Sequence, residues 1–224
     1  MFSATAFHDT EAIKEGLQGP FIVIENALDT SKAEEIYRNL TDFNQWDIED
    51  ESSFEGKTSG GYSYNRFSID LANNAVPSIF RELNEYLNSE EVLQLVENLS
   101  NRRCDQFVGK AVAYKDGHHI KSHNDLYAEK AGEQIITRSV TFNYFLTKDW
   151  DPDWGGQLVW ESPHTTINPS FNTLVLFLVG PDSHHHVTPI KGCGSITRYA
   201  ITGWFITHRN KEQNKLKLDF IQSA

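Results

Sequence analysis

The chain has 224 residues, of which 39% are hydrophobic and 12% aromatic, and it carries a formal net charge of −11. This composition is typical of one globular domain, and no apolar run approaches the roughly 20 residues that span a bilayer. The acidic balance argues against nucleic acid as a partner, because phosphate binding needs clustered Lys and Arg. Without a basic and then apolar leader at the N-terminus, we expect a cytoplasmic protein with no membrane partner. The oligomeric state is left open.

The first half of the chain predicts one strand and three helices. "FIVIEN" is a short β-branched run typical of a strand. "DTSKAEEIYRNL" has a helical apolar period and begins with three candidate N-caps, Asp29, Thr30 and Ser31. "VPSIFRELNEYLNSEEVLQLVENLS" predicts two helices that are broken near Asn88, with Ser89 as the N-cap of the second.

Between these helices, the segment from Trp46 to Arg66 is rich in Gly, Ser, Tyr and acidic residues and shows no period. Its acidic part reads as a solvated loop. A long aperiodic stretch in a compact domain is often a binding loop or a lid. We therefore expect a loop over the whole segment.

After Arg103 the sequence predicts at least five strands separated by turn residues: "QFVGKAVAY", "ITRSVTFNYFL", "GGQLVW", "TLVLFLV" and "TRYAITGWFIT". No crossover helix joins them, which favours an antiparallel sandwich or barrel. The fold class is α+β and mainly β. We expect one domain over 1–224, with a strand-helix support over 1–103, a β core over 104–210 and a charged C-terminal tail.

One cluster of metal-ligand residues lies in "IKSHNDLY", where His123 and Asp125 form an H-x-D pair. In an extended segment, residues i and i+2 face the same side, so an imidazole and a carboxylate can grip one ion. A third ligand would complete the arrangement of non-haem Fe(II) with open positions. The lack of a thiolate partner argues against structural zinc. H-x-D alone also fits a surface loop.

A second cluster, "SHHHVTPI", offers His184, His185 and His186 as candidates for that third ligand. By itself, a histidine run also fits a solvated turn. The histidine run indicates a metal site only in combination with the H-x-D pair upstream. Predicted strands separate the two segments.

Arg198 interrupts an otherwise apolar and aromatic strand, "RYAITGW". The cation either points to water at a sheet edge or is buried. Burying it unpaired would cost several kcal/mol, so an inward Arg198 implies an anionic ligand held in a bidentate grip.

The order H-x-D, S-x-H-x-V-x-P and R-Y-A-I-T-x-W is similar to the Fe(II)/2-oxoglutarate dioxygenases of the prolyl 4-hydroxylase group. Within that group, the sequence resembles the hypoxia-factor prolyl hydroxylases and their bacterial relatives. "YFLTKDWDPDWGGQLVW" resembles the stretch that joins their central strands. The likeness runs from Val108 to Thr207 and implies a double-stranded β-helix (jelly-roll, cupin-like) core with the N-terminal helices packed on one sheet.

The resemblance selects His185 as the third ligand, because the family's metal histidine precedes x-V-x-P. His186 is the alternative if a bulge shifts the register by one residue. His118 and His119, in the turn before the H-x-D pair, are expected at the surface.

The resemblance also implies roles for the residues around the metal. Arg198 would pair with the distal carboxylate of 2-oxoglutarate, helped by Thr202, with Tyr114 nearby. Phe145 departs from the relatives nearest in sequence, which place a tyrosine hydroxyl there, so either Asn143 or Thr202 donates instead or the cosubstrate binds more weakly. The resemblance implies that Arg138 and Trp204 contact the substrate. The alternative for Arg138 is a surface salt bridge, and the alternative for Trp204 is a role in the core.

The implied activity is hydroxylation of an unactivated C–H bond with Fe(II), 2-oxoglutarate and O2, and ascorbate is a further candidate cofactor. Asp125 favours hydroxylation over halogenation, since halogenating relatives lack this carboxylate. The implied substrate is a prolyl residue in a peptide or protein, with Trp46–Arg66 and Leu126–Ile136 as candidate lids. A free amino acid or other small molecule is the alternative substrate. A non-catalytic cupin-like ligand-binding module is the alternative of another class.

Overall fold

The computed structural model of the chain describes residues 1–50 and 64–210, which form four α-helices and twelve β-strands. The elements are, in chain order, α1 (Thr10–Gln18), β1 (Ile22–Glu25), α2 (Thr30–Asp42), β2 (Asp47–Glu49), β3 (Tyr64–Asp70), α3 (Ser78–Leu87), α4 (Glu90–Ser100), β4 (Gln106–Tyr114), β5 (His119–His123), β6 (Ala128–Ala131), β7 (Gln134–Phe145), β8 (Leu158–Glu161), β9 (His164–Ile167), β10 (Thr173–Leu178), β11 (His185–Val187) and β12 (Arg198–Asn210).

All strand pairs are antiparallel, and together the strands form one curled half-barrel in the order β1-β10-β7-β12-β4-β3-β5-β11-β8-β9. Strand β3 pairs with both β4 and β5, and so joins a larger wall to a smaller one. Strands β2 and β6 extend the pairing from β3 and β7. The predicted antiparallel, jelly-roll-like core is confirmed.

The four helices pack on the outer face of the larger wall, as expected. Apolar residues of α2, α3 and α4 join one buried cluster with Phe107, Phe142 and Phe205 from the sheet. The predicted break between α3 and α4 is confirmed, because the Ser89 hydroxyl accepts from the Val92 amide at 3.4 Å and begins α4. Helix α1 was not anticipated from the sequence.

A second apolar cluster fills the space between the two walls and includes Val112, Tyr114, Phe145, Trp160 and Phe177. Strand residues alternate between the two clusters, because successive side chains point to opposite faces. Polar residues on the inner face therefore face the concave interior of the half-barrel.

The prediction of a loop from Trp46 to Arg66 is partly wrong. Asp47–Glu49 forms β2, and the end of the segment belongs to β3 (Tyr64–Asp70), because Glu49 and Arg66 face each other in register and pair in the interior. The rest of that segment, 51–63, lies outside the described residues, as does the tail 211–224. The candidate lid Leu126–Ile136 contains a hairpin, with β6 paired to β7.

Among the described helices, none is both long enough and apolar enough to cross a membrane.

The connection between the N-terminal segment and β10 depends on one buried amide. Asn172 adopts φ +55°, and its Oδ1 accepts from the Leu28 amide (2.9 Å) and the Tyr144 hydroxyl (2.8 Å). Its Nδ2 donates to the Leu28 carbonyl at 2.9 Å. This side chain fixes the position of the loop before α2.

We predict that Asn172→Ala lowers the free energy of unfolding by about 3–5 kcal/mol, because three buried polar groups lose their partner. Urea denaturation followed by circular dichroism measures the change. The exposed Asn168→Ala serves as the control and should stay within about 0.5 kcal/mol of the wild type. Equal effects of the two substitutions would contradict this role for Asn172.

Candidate functional site

Three buried side chains, His123, Asp125 and His185, meet between the two walls of the half-barrel. Nε2 of His123 lies 3.4 Å from Oδ1 of Asp125, and Nε2 of His185 lies 3.7 Å from Oδ2 of Asp125. One possible ligand atom from each residue lies within 4.8 Å of the other two. Asp125 is 3% exposed and His185 is 2% exposed.

The strand register and one left-handed residue produce this convergence. His123 ends β5 and stands directly opposite His185, which begins β11. Asp125 lies beyond the strand with φ +61°, so it reaches the site through a turn. The extended alternation expected for the H-x-D pair is therefore wrong, although the two side chains do converge. Ser183 joins the two segments by donating to the Asn124 carbonyl at 2.7 Å.

Backbone carbonyls orient both imidazoles. Nδ1 of His123 lies 2.9 Å from the Lys121 carbonyl, and Nδ1 of His185 lies 2.8 Å from the Ser183 carbonyl. A carbonyl only accepts, so each Nδ1 carries the hydrogen and each Nε2 presents its lone pair. Burial lowers the pKa of His185 to about 4, so its imidazole is neutral at neutral pH.

Asp125 supplies the negative charge of the cluster. Burial acts to raise its pKa, but the contacts with His123, His185 and the Arg138 guanidinium outweigh that effect and hold the pKa below its ordinary value. The Thr141 hydroxyl donates to Oδ2 of Asp125 at 2.9 Å and orients the carboxylate. Two neutral nitrogens and one carboxylate are the donor set that suits non-haem Fe(II).

The neighbouring histidines of the run have other environments. His184 is exposed, and His186 is half-buried with Nδ1 3.1 Å from Oε1 of Glu161. Near β5, His118 and His119 are half-buried rather than at the surface, and the metal-type cluster does not include them.

Arg198 lies at the other end of the same pocket and is only 2% exposed. Its guanidinium carbon lies 4.6 Å from the Tyr114 ring centroid and 5.2 Å from that of Phe145. Within residues 1–50 and 64–210, its Nε has no hydrogen-bond partner and no carboxylate pairs with it. A buried cation in this state is a receptor for an anion.

Gly156 allows that guanidinium to be buried. It adopts φ +71°, and a Cβ built on it would lie 3.0 Å from Cδ of Arg198 and 3.1 Å from Cγ1 of Ile190. Any side chain at this position would both strain the backbone and displace Arg198. This is the structural role of the second glycine in "DWGGQLVW".

The floor of the pocket is one face of β12, which presents Arg198, Ala200, Thr202 and Trp204. At about 3.3 Å per residue, Arg198 and Trp204 are roughly 20 Å apart along the strand. The small Ala200 leaves room over the middle of the floor. Thr202 donates to Oδ1 of Asn143 at 2.6 Å, so the remaining donor of this pair is the Asn143 amide.

At the metal end, Arg138 lies between two aromatic rings. Its guanidinium carbon is 3.5 Å from the Trp204 ring centroid and 4.7 Å from that of Tyr127. Its Nη1 donates to the Asp125 carbonyl at 3.4 Å. In the described part of the chain, the buried Nε1 of Trp204 has no hydrogen-bond partner. The neighbouring Leu126 and Tyr127 are exposed apolar side chains.

Glu49 and Arg66 were missed by the sequence analysis. Arg66 lines the pocket, and it donates to Oε2 of Glu49 at 2.7 Å and to the Tyr114 hydroxyl at 3.1 Å. An isolated cation in the strand-like "YNRFSID" is the same signal that identified Arg198. The adjacent acid-rich segment concealed it.

Comparison with known proteins agrees with this geometry. The sequence model of the family described as "2OG-Fe(II) oxygenase superfamily" matches residues 109–206. Prolyl 3,4-dihydroxylase OGFOD1 from Ostreococcus tauri is 26% identical over 204 residues, which cover 84% of this chain and 38% of that protein. The chain therefore spans well under half the length of this relative.

Two solved structures share the fold. A Pseudomonas putida prolyl-4-hydroxylase aligns with TM-score 0.62 and 18% identity, covering 88% of this chain and 97% of that one. A Trichoplax adhaerens prolyl hydroxylase in complex with a hypoxia inducible factor oxygen degradation domain peptide aligns with TM-score 0.61 and 19% identity, covering 96% and 97%.

We predict that His185→Ala weakens divalent metal binding by at least about 100-fold, because even partners outside the ligand shell change metal affinity by roughly 10–100-fold. Calorimetric titration of the purified protein with Mn(II) measures it. His184→Ala and His186→Ala are the matched controls and should bind within about threefold of the wild type. A loss confined to His186→Ala would place the third ligand one residue later.

Proposed function

We propose that the protein hydroxylates an unactivated C–H bond, with a prolyl residue in a peptide or protein as substrate. The match of residues 109–206 to the 2OG-Fe(II) oxygenase superfamily supports this proposal. Residues 104–210 are the catalytic core and 1–103 its support, in one domain. The observation that carries the proposal is the combination of a buried His-His-Asp cluster and a buried unpaired guanidinium in one pocket.

His123, Asp125 and His185 would hold Fe(II), since their Nε2 lone pairs and carboxylate point toward one another. When bound, the iron supplies the redox chemistry that couples loss of CO2 from 2-oxoglutarate to oxidation of a substrate C–H bond by O2. Ascorbate would serve as an accessory reductant.

The residues of this chain bind, orient and exclude water. Arg198 is positioned to pair with the distal carboxylate of the cosubstrate through a charge-assisted, bidentate contact. Ala200 leaves space for the carbon chain, and the Asn143 amide offers a further donor. Thr141 keeps the Asp125 carboxylate oriented, and the apolar cluster between the walls keeps the site dry.

The pocket mouth and the relatives favour a prolyl substrate. OGFOD1 is named as a prolyl 3,4-dihydroxylase, and the T. adhaerens enzyme holds a peptide. The unpaired Nε1 of Trp204 and the stacked Arg138 offer donors to a peptide carbonyl, beside the apolar Leu126 and Tyr127. A free amino acid or another small molecule is the second candidate substrate, since the same donors fit a carboxylate.

A non-catalytic ligand-binding module is the candidate of a different class. Such a module could use the buried Arg198 to hold an anion, but it needs no three converging metal ligands beside that cation. Burying that ligand cluster carries a desolvation cost that simple anion binding would avoid.

We predict that Arg198→Met raises the melting temperature of the protein without ligands, because the substitution removes a buried unpaired charge and keeps the packing of a long side chain. The same variant should lose the thermal stabilisation that 2-oxoglutarate gives to the Mn(II)-loaded protein. Thermal melts with and without 2-oxoglutarate measure both effects.

The control is Arg38→Met, which replaces an exposed arginine on α2 and should preserve the response to 2-oxoglutarate. A destabilised Arg198→Met protein that still responds to 2-oxoglutarate would contradict the assignment of Arg198.

We predict that the Fe(II)-loaded protein forms succinate from 2-oxoglutarate when given proline-containing peptides, and that the product peptide gains 16 mass units, the mass of one oxygen atom. Succinate is quantified across a panel of such peptides and free amino acids. A response only to free amino acids would reject the peptide substrate and keep the oxygenase. No succinate above that of Asp125→Ala with any substrate would favour the binding module.

A further inference from the structure

Four adjacent strands carry a row of polar side chains that ends in the pocket. Glu49 on β2 stands opposite Arg66 on β3, and Tyr114 on β4 stands opposite Arg198 on β12. Strands β3 and β4 pair with Phe67 opposite Ala113, so the same antiparallel register puts Arg66 next to Tyr114. The row therefore runs Glu49, Arg66, Tyr114, Arg198 across the sheet.

Two members of this row form a buried ion pair. Glu49 and Arg66 are each 6% exposed, and Nε of Arg66 lies 2.7 Å from Oε2 of Glu49. Lys110 contacts the other oxygen of Glu49. Burial acts to raise the pKa of Glu49, but Arg66 and Lys110 outweigh it and lower this pKa to about 2. The pair is therefore charged at neutral pH, in a place where an apolar pair would fit at less desolvation cost.

The ion pair aims Arg66 at the pocket tyrosine. With Nε committed to Glu49, Nη1 of Arg66 donates to the Tyr114 hydroxyl oxygen at 3.1 Å. This bond uses the phenol as an acceptor, so the phenol hydrogen is left to donate. Among the hydrogen bonds of residues 1–50 and 64–210, Tyr114 donates to no protein group, and its ring lies against Arg198.

The Tyr114 hydroxyl lies where it can replace a hydrogen-bond donor that is missing at Phe145. Phe145 on β7 lines the same end of the pocket, 5.2 Å from the guanidinium carbon of Arg198, and has no hydroxyl to offer. We propose that Glu49 and Arg66 act as positioning residues that turn the Tyr114 hydroxyl toward the distal carboxylate of the dicarboxylate cosubstrate and so supply the donor that Phe145 lacks. This inference rests on the proposed function, because it names how the same pocket recognises 2-oxoglutarate.

The test compares two ligands that differ only at the distal end, 2-oxoglutarate and 2-oxopentanoate, which has a methyl group in place of that carboxylate. Their Kd values for the Mn(II)-loaded full chain are measured by calorimetry. Glu49→Gln/Arg66→Gln removes both buried charges together and leaves only the partly exposed Lys110 without its carboxylate partner. We expect Kd for 2-oxoglutarate to rise about tenfold, the size of one hydrogen bond to a charged group, and Kd for 2-oxopentanoate to change less than about twofold.

Two further variants keep the test independent of folding. Glu49→Leu/Arg66→Met replaces the pair by apolar side chains and should give the same ligand-selective loss. Tyr114→Phe should give it too, and adding Glu49→Gln/Arg66→Gln to Tyr114→Phe should cost less than about twofold more, because Arg66 acts through that hydroxyl. The exposed pair Glu11 and Lys14, neutralised as Glu11→Gln/Lys14→Gln, is the matched control and should change neither Kd.

If the Kd values of both ligands rose equally, Glu49 and Arg66 would only support the fold. If neither Kd rose, the ion pair would have no role in binding the cosubstrate. Either result overturns the inference. Full additivity with Tyr114→Phe would overturn the route through the hydroxyl. Failure of the wild type itself to bind 2-oxoglutarate would overturn the proposed function, whereas wild-type binding with unchanged variants overturns this inference alone.

Discussion

The guanidinium of Arg198 is buried on the floor of the pocket without a carboxylate in the described part of the chain to neutralise it. Such a charge persists only when the surrounding structure forces it inward. The register of β12 between β4 and β7, the aromatic rings of Tyr114 and Phe145 and the missing side chain of Gly156 together do so. The buried charge of Arg198 lowers the stability of the fold, and in return it forms a site whose charge a bound anion would neutralise.

The metal-type cluster imposes a second constraint on the same pocket. His185 and His123 are held opposite each other by the pairing of β11 with β5, and Asp125 reaches them from a left-handed turn. Their hydrogen bonds to carbonyls and to Thr141 fix the donor atoms before any ion arrives. With Arg198 at the opposite end, the pocket has one end for a cation and another for a carboxylate, which matches a 2-oxo diacid that chelates a metal.

Much of this architecture could be predicted from local sequence. The strands after residue 103 are β-branched and aromatic runs with turn residues between them, and the helix break at Ser89 follows from its capping hydroxyl. The H-x-D pair and the histidine run indicated which segments should meet, and the structure brings them together. The apolar context of Arg198 was enough to suggest burial.

Other features depend on tertiary register more than on local sequence. Strand β2 lies in an acid-rich segment that reads as solvated, yet Glu49 is buried because Arg66 on β3 stands opposite it. The positive φ of Asp125 replaces the extended geometry expected for H-x-D, and Asp is one of the few residues that tolerates that conformation. Half-burial of His118 against Phe67 likewise follows from packing of the turn and not from its composition.

Anaerobic titration of the Fe(II)-loaded protein with 2-oxoglutarate, followed by visible absorbance, tests whether one pocket binds a ferrous ion and a diacid together. We expect a weak, saturable charge-transfer band that is absent from His185→Ala and needs a far higher 2-oxoglutarate concentration in Arg198→Met. A wild-type protein that stays colourless, or one whose band saturates at the same concentration without Arg198, would contradict this expectation.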